Sequence, residues 1–150
     1  MPSPKPIDII EKDLIKSLFD KGVVVVGVGG GGIPVINENG KLKGVKAVID
    51  KDRASALLAS LIKADILLIL TSIDKVYLNF NTPDQKPIDK MNIQEAEKYL
   101  KEGHFKKGSM YPTIEAGIEF IKRGGKKVII AHLNQAKEAL EGKSGTQIIP

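Results

Sequence analysis

Short apolar runs alternate along this chain with segments whose apolar residues recur at three- and four-residue intervals. Ile7, Ile10, Leu14 and Leu18 follow that spacing with Phe19 alongside, while Asp8, Glu11 and Lys12 lie off the stripe. The spacing predicts an amphipathic helix, with Gly22 as its stop. Val23–Val26 is β-branched and apolar at every position, the pattern of a central strand covered on both faces. It runs into Gly27-Val28-Gly29-Gly30-Gly31-Gly32, and beyond Ile33-Pro34 comes the extended pair Val35-Ile36. Asn37-Glu38-Asn39-Gly40 carries the Asn-Gly signal of a hairpin turn leading into residues 41–46.

The second part of the chain repeats the alternation. Ala54–Ile62 is rich in Ala and Leu and predicts a helix, followed by a strand over Ile66–Leu70 that ends in a polar loop headed by Thr71-Ser72. Asn92 with Glu95 three residues later predicts a capped helix to about Lys101. Pro112 suits the first turn of a helix running to Ile121 and stopped by Gly124-Gly125, with a buried strand at Val128–Ala131. Asn134 is a candidate cap for a last helix, Gln135–Glu141, and Gly145–Ile149 reads as a final strand. No internal repeat, low-complexity tract or linker interrupts the series. The pattern predicts one α/β domain over residues 1–150. It would be a three-layer αβα sandwich about a mainly parallel sheet, with ligands at the loops past the strand C-termini.

Composition narrows the chemistry. The chain has 150 residues and no cysteine, which excludes disulfides, cysteine zinc sites, iron–sulfur clusters and thiol nucleophiles, and its two histidines are too few for a metal cluster. A domain of this size buries roughly 68–70% of its unfolded surface and needs no such staple. The proline-punctuated start lacks a signal-peptide h-region, and the longest apolar runs fall far short of the ~18 residues of a membrane span. A cytoplasmic location with no membrane partner is expected. Net charge is +5, but all basic residues except Arg53 and Arg123 are lysines, scattered among 18 acids. That is a solvated surface rather than the clustered, aromatic-interleaved face of a nucleic-acid reader, so no nucleic-acid partner is expected.

Four loops could carry chemistry. Gly29–Gly32 presents bare N–H groups that could wrap an anion. It matches neither a dinucleotide fingerprint, because Ile33-Pro34-Val35 reads as extended chain where a helix should start, nor a phosphate loop, because no Lys-Ser/Thr follows. A flexible strand-to-strand connection explains it equally well. Asp50-Lys51-Asp52 sets a cation between two acids, either to aim a lysine at a transferring phosphoryl group or simply as a helix cap beside a solvated lysine. Thr71–Tyr77, with Asp74, follows a buried strand where a doubly wound sheet offers its crevice, or it is a capped turn. In Gly108–Pro112, Met110 and Pro112 could pack on a flat base while the helix end faces phosphate, or form an ordinary helix entry. Lys106-Lys107 and Lys126-Lys127 read as solvent-facing charge, although Lys107 adjoins the last of these loops, and His104 and His132 read as surface or hydrogen-bonded histidines.

Taken in order, Pro2–Pro6, Gly29–Pro34, Val48–Asp52, Thr71–Tyr77, Pro83–Gln85 and Glu102–Phe105 through Gly108–Met110 closely resemble carbamate kinases of the amino acid kinase superfamily. The resemblance covers essentially the whole chain. It implies an eight-stranded, mainly parallel sheet and reversible phosphoryl transfer between carbamoyl phosphate and ADP with Mg²⁺, giving ATP and carbamate in the arginine-deiminase pathway. It further implies that Gly29, Gly30, Gly31 and Gly32 lie beside the transferring phosphate, that Lys51 neutralises its charge and that Asp52 orients the catalytic lysines. Thr71, Asp74, Tyr77, Lys107, Met110 and Pro112 would form the nucleotide site, with Mg²⁺ carried by the nucleotide.

The sequence departs from that family in two ways. It matches only the C-terminal, nucleotide-binding half, whereas family members begin with about 150 further residues, an ordinary domain's worth, supplying a first glycine loop, another lysine and much of the dimer surface. The expected partners, besides nucleotide and carbamoyl phosphate, are therefore a separate N-terminal half or further copies of the chain, because half a sheet leaves an unpaired edge and an apolar face. The other departure is Thr113, which stands where the family's Gly-Ser-Met-x-Pro segment is followed by lysine. A catalytically inactive nucleotide-binding subunit is the alternative expectation.

Overall fold

The computed structural model describes residues 1–106 and 109–150. Its helices are α1 (Lys12–Asp20), α2 (Lys51–Leu61), α3 (Ile93–Lys101), α4 (Met110–Lys122) and α5 (Ala136–Leu140). Its strands are β1 (Val35–Glu38), β2 (Lys41–Gly44), β3 (Ile66–Thr71), β4 (Val76–Leu78), β5 (Lys86–Ile88), β6 (Lys90–Asn92), β7 (Lys127–His132) and β8 (Thr146–Ile149). A 3-10 turn spans Gly29–Gly31.

The central sheet has the order β3-β7-β8-β6. β3 runs parallel to β7 and β6 parallel to β8, while β7 and β8 are antiparallel. The sheet is thus mainly parallel as expected, but the single eight-stranded sheet is corrected: among the described residues the eight strands divide, with β1-β2 and β4-β5 forming separate antiparallel ribbons. Side chains alternate across a sheet, and the two faces acquire different cover. Leu67, Ile69, Val128, Ile130 and Ile148 pack with α2, α3 and α4 residues such as Ala56, Ala96, Ile114 and Phe120. Leu68, Leu70, Ile129 and Ala131 meet Ala139 of α5 on the other face. These are the three layers that the alternation predicts, one thick and one thin.

Local signals explain the boundaries. Asp50 caps α2 by accepting from the Asp52 and Arg53 N–H groups at 3.0 Å each, so Lys51 and Asp52 open the helix rather than precede it. Asn92 and Glu95 form the expected capping box on α3. The Asn39-Gly40 turn takes φ of 54° and 82°, the left-handed pair that a two-residue hairpin requires. Gln135 rather than Asn134 stands at the start of α5, with no side-chain cap. The β4-β5 ribbon and β6 have no apolar periodicity long enough to announce them. Buried Thr146 anchors the ribbon by accepting from Val76 N–H at 2.8 Å and donating to the Ile88 carbonyl.

The largest correction concerns the N-terminal segment. Val23–Val26, expected as a central strand, has no ladder partner among the described residues, and Val24 and Val26 are 93% and 95% exposed. Strand preference reflects packing against neighbouring strands, and here no neighbour is present. α1 begins only at Lys12, so Ile7 and Ile10 of the predicted stripe precede it, and none of its residues is buried: Leu14 and Phe19 face outward.

Candidate functional site

A cleft of about 440 Å³ opens where the start of α2, the loop after β3, the β4 ribbon and the entry to α4 meet. β3 and β7 are parallel, so the loop after β3 leaves the sheet at a strand C-terminal edge, the place where open α/β sheets bind ligands. Its walls take Lys51 and Asp52 from α2 with Asp50 as its cap, Thr71 from the end of β3, Ser72 and Ile73 from the loop, and Tyr77 and Phe80 from the ribbon and its turn. His104, Phe105, Lys106, Ser109, Met110, Pro112 and Thr113 complete it.

Asp52 organises the polar part. Its carboxylate is buried, and each oxygen has its own donor: Lys51 Nζ at 3.0 Å on Oδ1 and Thr113 Oγ1 at 2.5 Å on Oδ2. Lys51 is largely exposed, so its ammonium is held at the base by Asp52 and otherwise free to meet an anion. The two helix starts differ. Asp50 takes up N–H groups of α2, whereas α4 has no side-chain cap: its Tyr111 N–H goes to the Lys106 carbonyl at 3.3 Å, and Pro112 has no N–H to offer.

The remaining wall is aromatic and apolar. Tyr77 and Phe80 stand with ring centroids 5.9 Å apart, and the Tyr77 hydroxyl donates to Asp74 at 3.0 Å. That bond to an anion holds the Tyr77 hydroxyl above its ordinary pKa and orients the ring. His104 sits between Asn79 Oδ1 at 2.8 Å and Glu102 Oε2 at 3.2 Å, edge-on to Tyr99.

Of the residues singled out from the sequence, Lys51, Asp52, Thr71, Tyr77, Met110 and Pro112 meet in this one cleft. Asp74 is outside its lining and touches it through Tyr77. Gly29–Gly32 does not line it either; the glycine turn packs against α2 behind the Asp50–Asp52 segment. Gly31 has φ of 97° and its missing Cβ would lie 1.9 Å from the Ile49 carbonyl oxygen, so only glycine fits there. Lys107 lies outside the described residues. Sequence reasoning missed Ile73, Phe80 and Phe105 as wall residues and took Lys106 for plain surface charge. Phe105 had a signal in its place within the Glu102–Phe105 segment; Phe80, in a turn between residues with positive φ (Asn79 and Asn81), had none.

Among the described residues, no group of three or more His, Cys, Asp and Glu side chains could hold a metal ion, and no helix is long and apolar enough to cross a membrane. A smaller hollow of about 80 Å³ lies away from the cleft chemistry, beside Glu115. There Glu115 accepts from Arg53 at 2.7 Å and pairs with Lys5 at 3.0 Å, tying the chain's first residues to α2 and α4.

Residues 2–132 match the amino acid kinase family. Over all 150 residues the chain is 51% identical to the carbamate kinase of Thermoplasma volcanium, covering 49% of that protein. It is 52% identical to the carbamate kinase-like protein YqeA of Escherichia coli, with 97% of this chain and 47% of that protein covered. Carbamate kinase from Giardia lamblia bound to AMP-PNP superposes with a TM-score of 0.97 at 44% identity, over 99% of this chain and 52% of that one. The chain thus spans about half the length of the curated relatives it matches.

Proposed function

Because this chain belongs to the amino acid kinase family, we propose that it is the C-terminal, nucleotide-binding half of a carbamate kinase-type phosphotransferase, a single domain over residues 1–150. It would act with a separate N-terminal half or in an oligomer, in the cytoplasm, on the arginine-deiminase pathway. The reaction is reversible transfer between carbamoyl phosphate and MgADP. A β-phosphate oxygen of ADP attacks phosphorus, the bond from phosphorus to the carbamoyl oxygen breaks, and ATP and carbamate form with total charge conserved. Mg²⁺ enters with the nucleotide as part of the substrate.

The observation that carries this reading is the Asp52-held Lys51 ammonium in the same cleft as an aromatic and apolar wall. Phosphoryl transfer demands positioning and charge neutralisation and little covalent chemistry from the protein. Lys51 neutralises the phosphoryl group and Asp52 fixes it. Thr71, Tyr77, Met110 and Pro112 line the nucleotide, with Asp74 acting through Tyr77, and Lys107 is assigned to the same loop. Gly29–Gly32 stands outside this cleft, and its assignment to the transferring phosphate rests on the family resemblance alone. The likeness to a carbamate kinase bound to AMP-PNP supports a nucleotide in this cleft.

A second reading, a nucleotide-binding subunit without turnover, is favoured by Thr113. Its neutral hydroxyl is spent on Asp52, at a position where the resembling family has lysine. One lost electrostatic donor costs about 10²–10³ in turnover. Luminescent detection of ATP from carbamoyl phosphate and MgADP separates the two readings, using the chain alone and with a separately made N-terminal half. ATP above a Lys51→Ala control supports the kinase. Calorimetric ADP binding with no ATP in either mixture supports the inactive subunit.

A further inference from the structure

Thr113 opens a positional question that its neighbours answer. As the fourth residue of α4, its hydroxyl would ordinarily bond back to a carbonyl of its own helix, the common habit of helical threonines. Instead it crosses to α2 and donates to Asp52 Oδ2 at 2.5 Å. Both groups are buried, and among the described residues Asp52 Oδ2 has no other hydrogen-bond donor. Lys51 occupies the other oxygen, so the three form a chain: a buried hydroxyl, a buried carboxylate and an exposed ammonium. An exposed ion pair by itself imposes little order, because a long lysine side chain loses entropy for a modest screened attraction. The order must come from the buried end.

We propose that Thr113 is a positioning residue: its hydroxyl locks the Asp52 carboxylate, and through it sets where the Lys51 ammonium meets an anionic ligand. The inference deepens the nucleotide-cleft reading and rests on it for the identity of the anion. A threonine does here by geometry what a second cation would do by charge. It fixes the carboxylate without adding to the positive charge in the cleft.

Two measurements test it. In the ligand-free chain, NMR relaxation at Lys51 Cε reports side-chain order. Order should fall in Thr113→Val, which keeps volume but removes the hydroxyl, and return in Thr113→Ser. Unchanged Lys51 order in a folded Thr113→Val chain overturns the proposal, as does failure of Ser to restore it. In calorimetry, Thr113→Val should weaken ATP, which carries the phosphoryl group that Lys51 meets, about tenfold, the scale of one hydrogen bond to a charged group, and leave adenosine unchanged. In a Lys51→Met background the same substitution should cost ATP nothing further, the mark of action through Lys51. A full additional loss in that background overturns the proposal. If the unaltered chain binds neither ATP nor ADP, the nucleotide reading fails, and the relaxation measurement still decides the positioning role. Should Thr113→Val not fold, the decision passes to Thr113→Ala, which must lose Lys51 order in the same way.

Discussion

Residues 1–48 and residues 49–150 are both rich in aliphatic side chains, yet they use them in opposite ways. Among the described residues, the first region buries only Gly31, whereas the second holds every buried hydrophobic residue of the core. All the large exposed hydrophobics except Ile66, Phe80, Leu133 and Leu140 lie in the first region. The contrast between Val24 and Val128 is the sharpest: each stands in a β-branched apolar run, but one is 93% exposed and the other fully buried. Composition and local pattern are the same. What differs is that β7 has ladder partners on both sides and helices over its faces, and Val23–Val26 has no ladder partner among the described residues. Apolar patterning states what a segment is suited to bury against; it does not supply the surface.

The largest way to test this contrast is a cavity in the second region. Phe120 is fully buried between α4 and the sheet, with Gly125 pressed against its ring. Phe120→Ala should cost about 3–5 kcal/mol in urea denaturation. A loss below about 1 kcal/mol would show that the second region is not a close-packed core. A smaller effect is expected in the first region. Val24→Asp should leave the isolated chain's stability within about 0.5 kcal/mol, as for an ordinary surface change. It should nevertheless prevent co-purification with a separately made N-terminal half, since a charge would enter an apolar interface. Equal co-purification of Val24→Asp and the unaltered chain would remove this segment from the docking surface.

The smallest effect concerns the tie between the two regions. Burial would raise the Glu115 carboxyl, but hydrogen bonds from Lys5 and Arg53 outweigh it and hold the group below the ordinary carboxylate range. A carboxyl depressed in the folded state contributes stability that is complete above its unfolded pKa, about 4.3, and is lost as pH falls through the folded value. Thermal melts of Glu115→Gln should therefore show a shallower decline below about pH 4.3 than the unaltered chain. Identical acid limbs would mean that the Lys5–Glu115–Arg53 contact contributes nothing to stability.

Most of the second region was legible from local signals. Helix caps at Asp50 and Asn92, Pro112 in a first turn and the buried runs of β3 and β7 are short-range physics, and each of these elements lies within a few residues of its predicted place. The candidate site was legible in part. Lys51, Asp52, Thr71, Tyr77, Met110 and Pro112 were marked by residue type and by position after a strand or before a helix. Phe80 and Ile73 were not, because nothing local distinguishes a wall residue from any other loop hydrophobe. The ribbon β4-β5 escaped notice for a related reason, since three-residue strands are held by distant partners such as Thr146.

By itself, then, the sequence determined the alternation of elements, the cysteine-free chemistry and the order of motifs that carries the family resemblance. Each of those depends on residues that are neighbours in the chain. Only the tertiary structure decided that β7 and β8 run antiparallel, that Val23–Val26 finds no ladder partner among the described residues, and that Thr113 spends its hydroxyl on Asp52 sixty-one residues away. Those outcomes depend on which surfaces meet, and burial and buried hydrogen bonds have no value until a partner is in place.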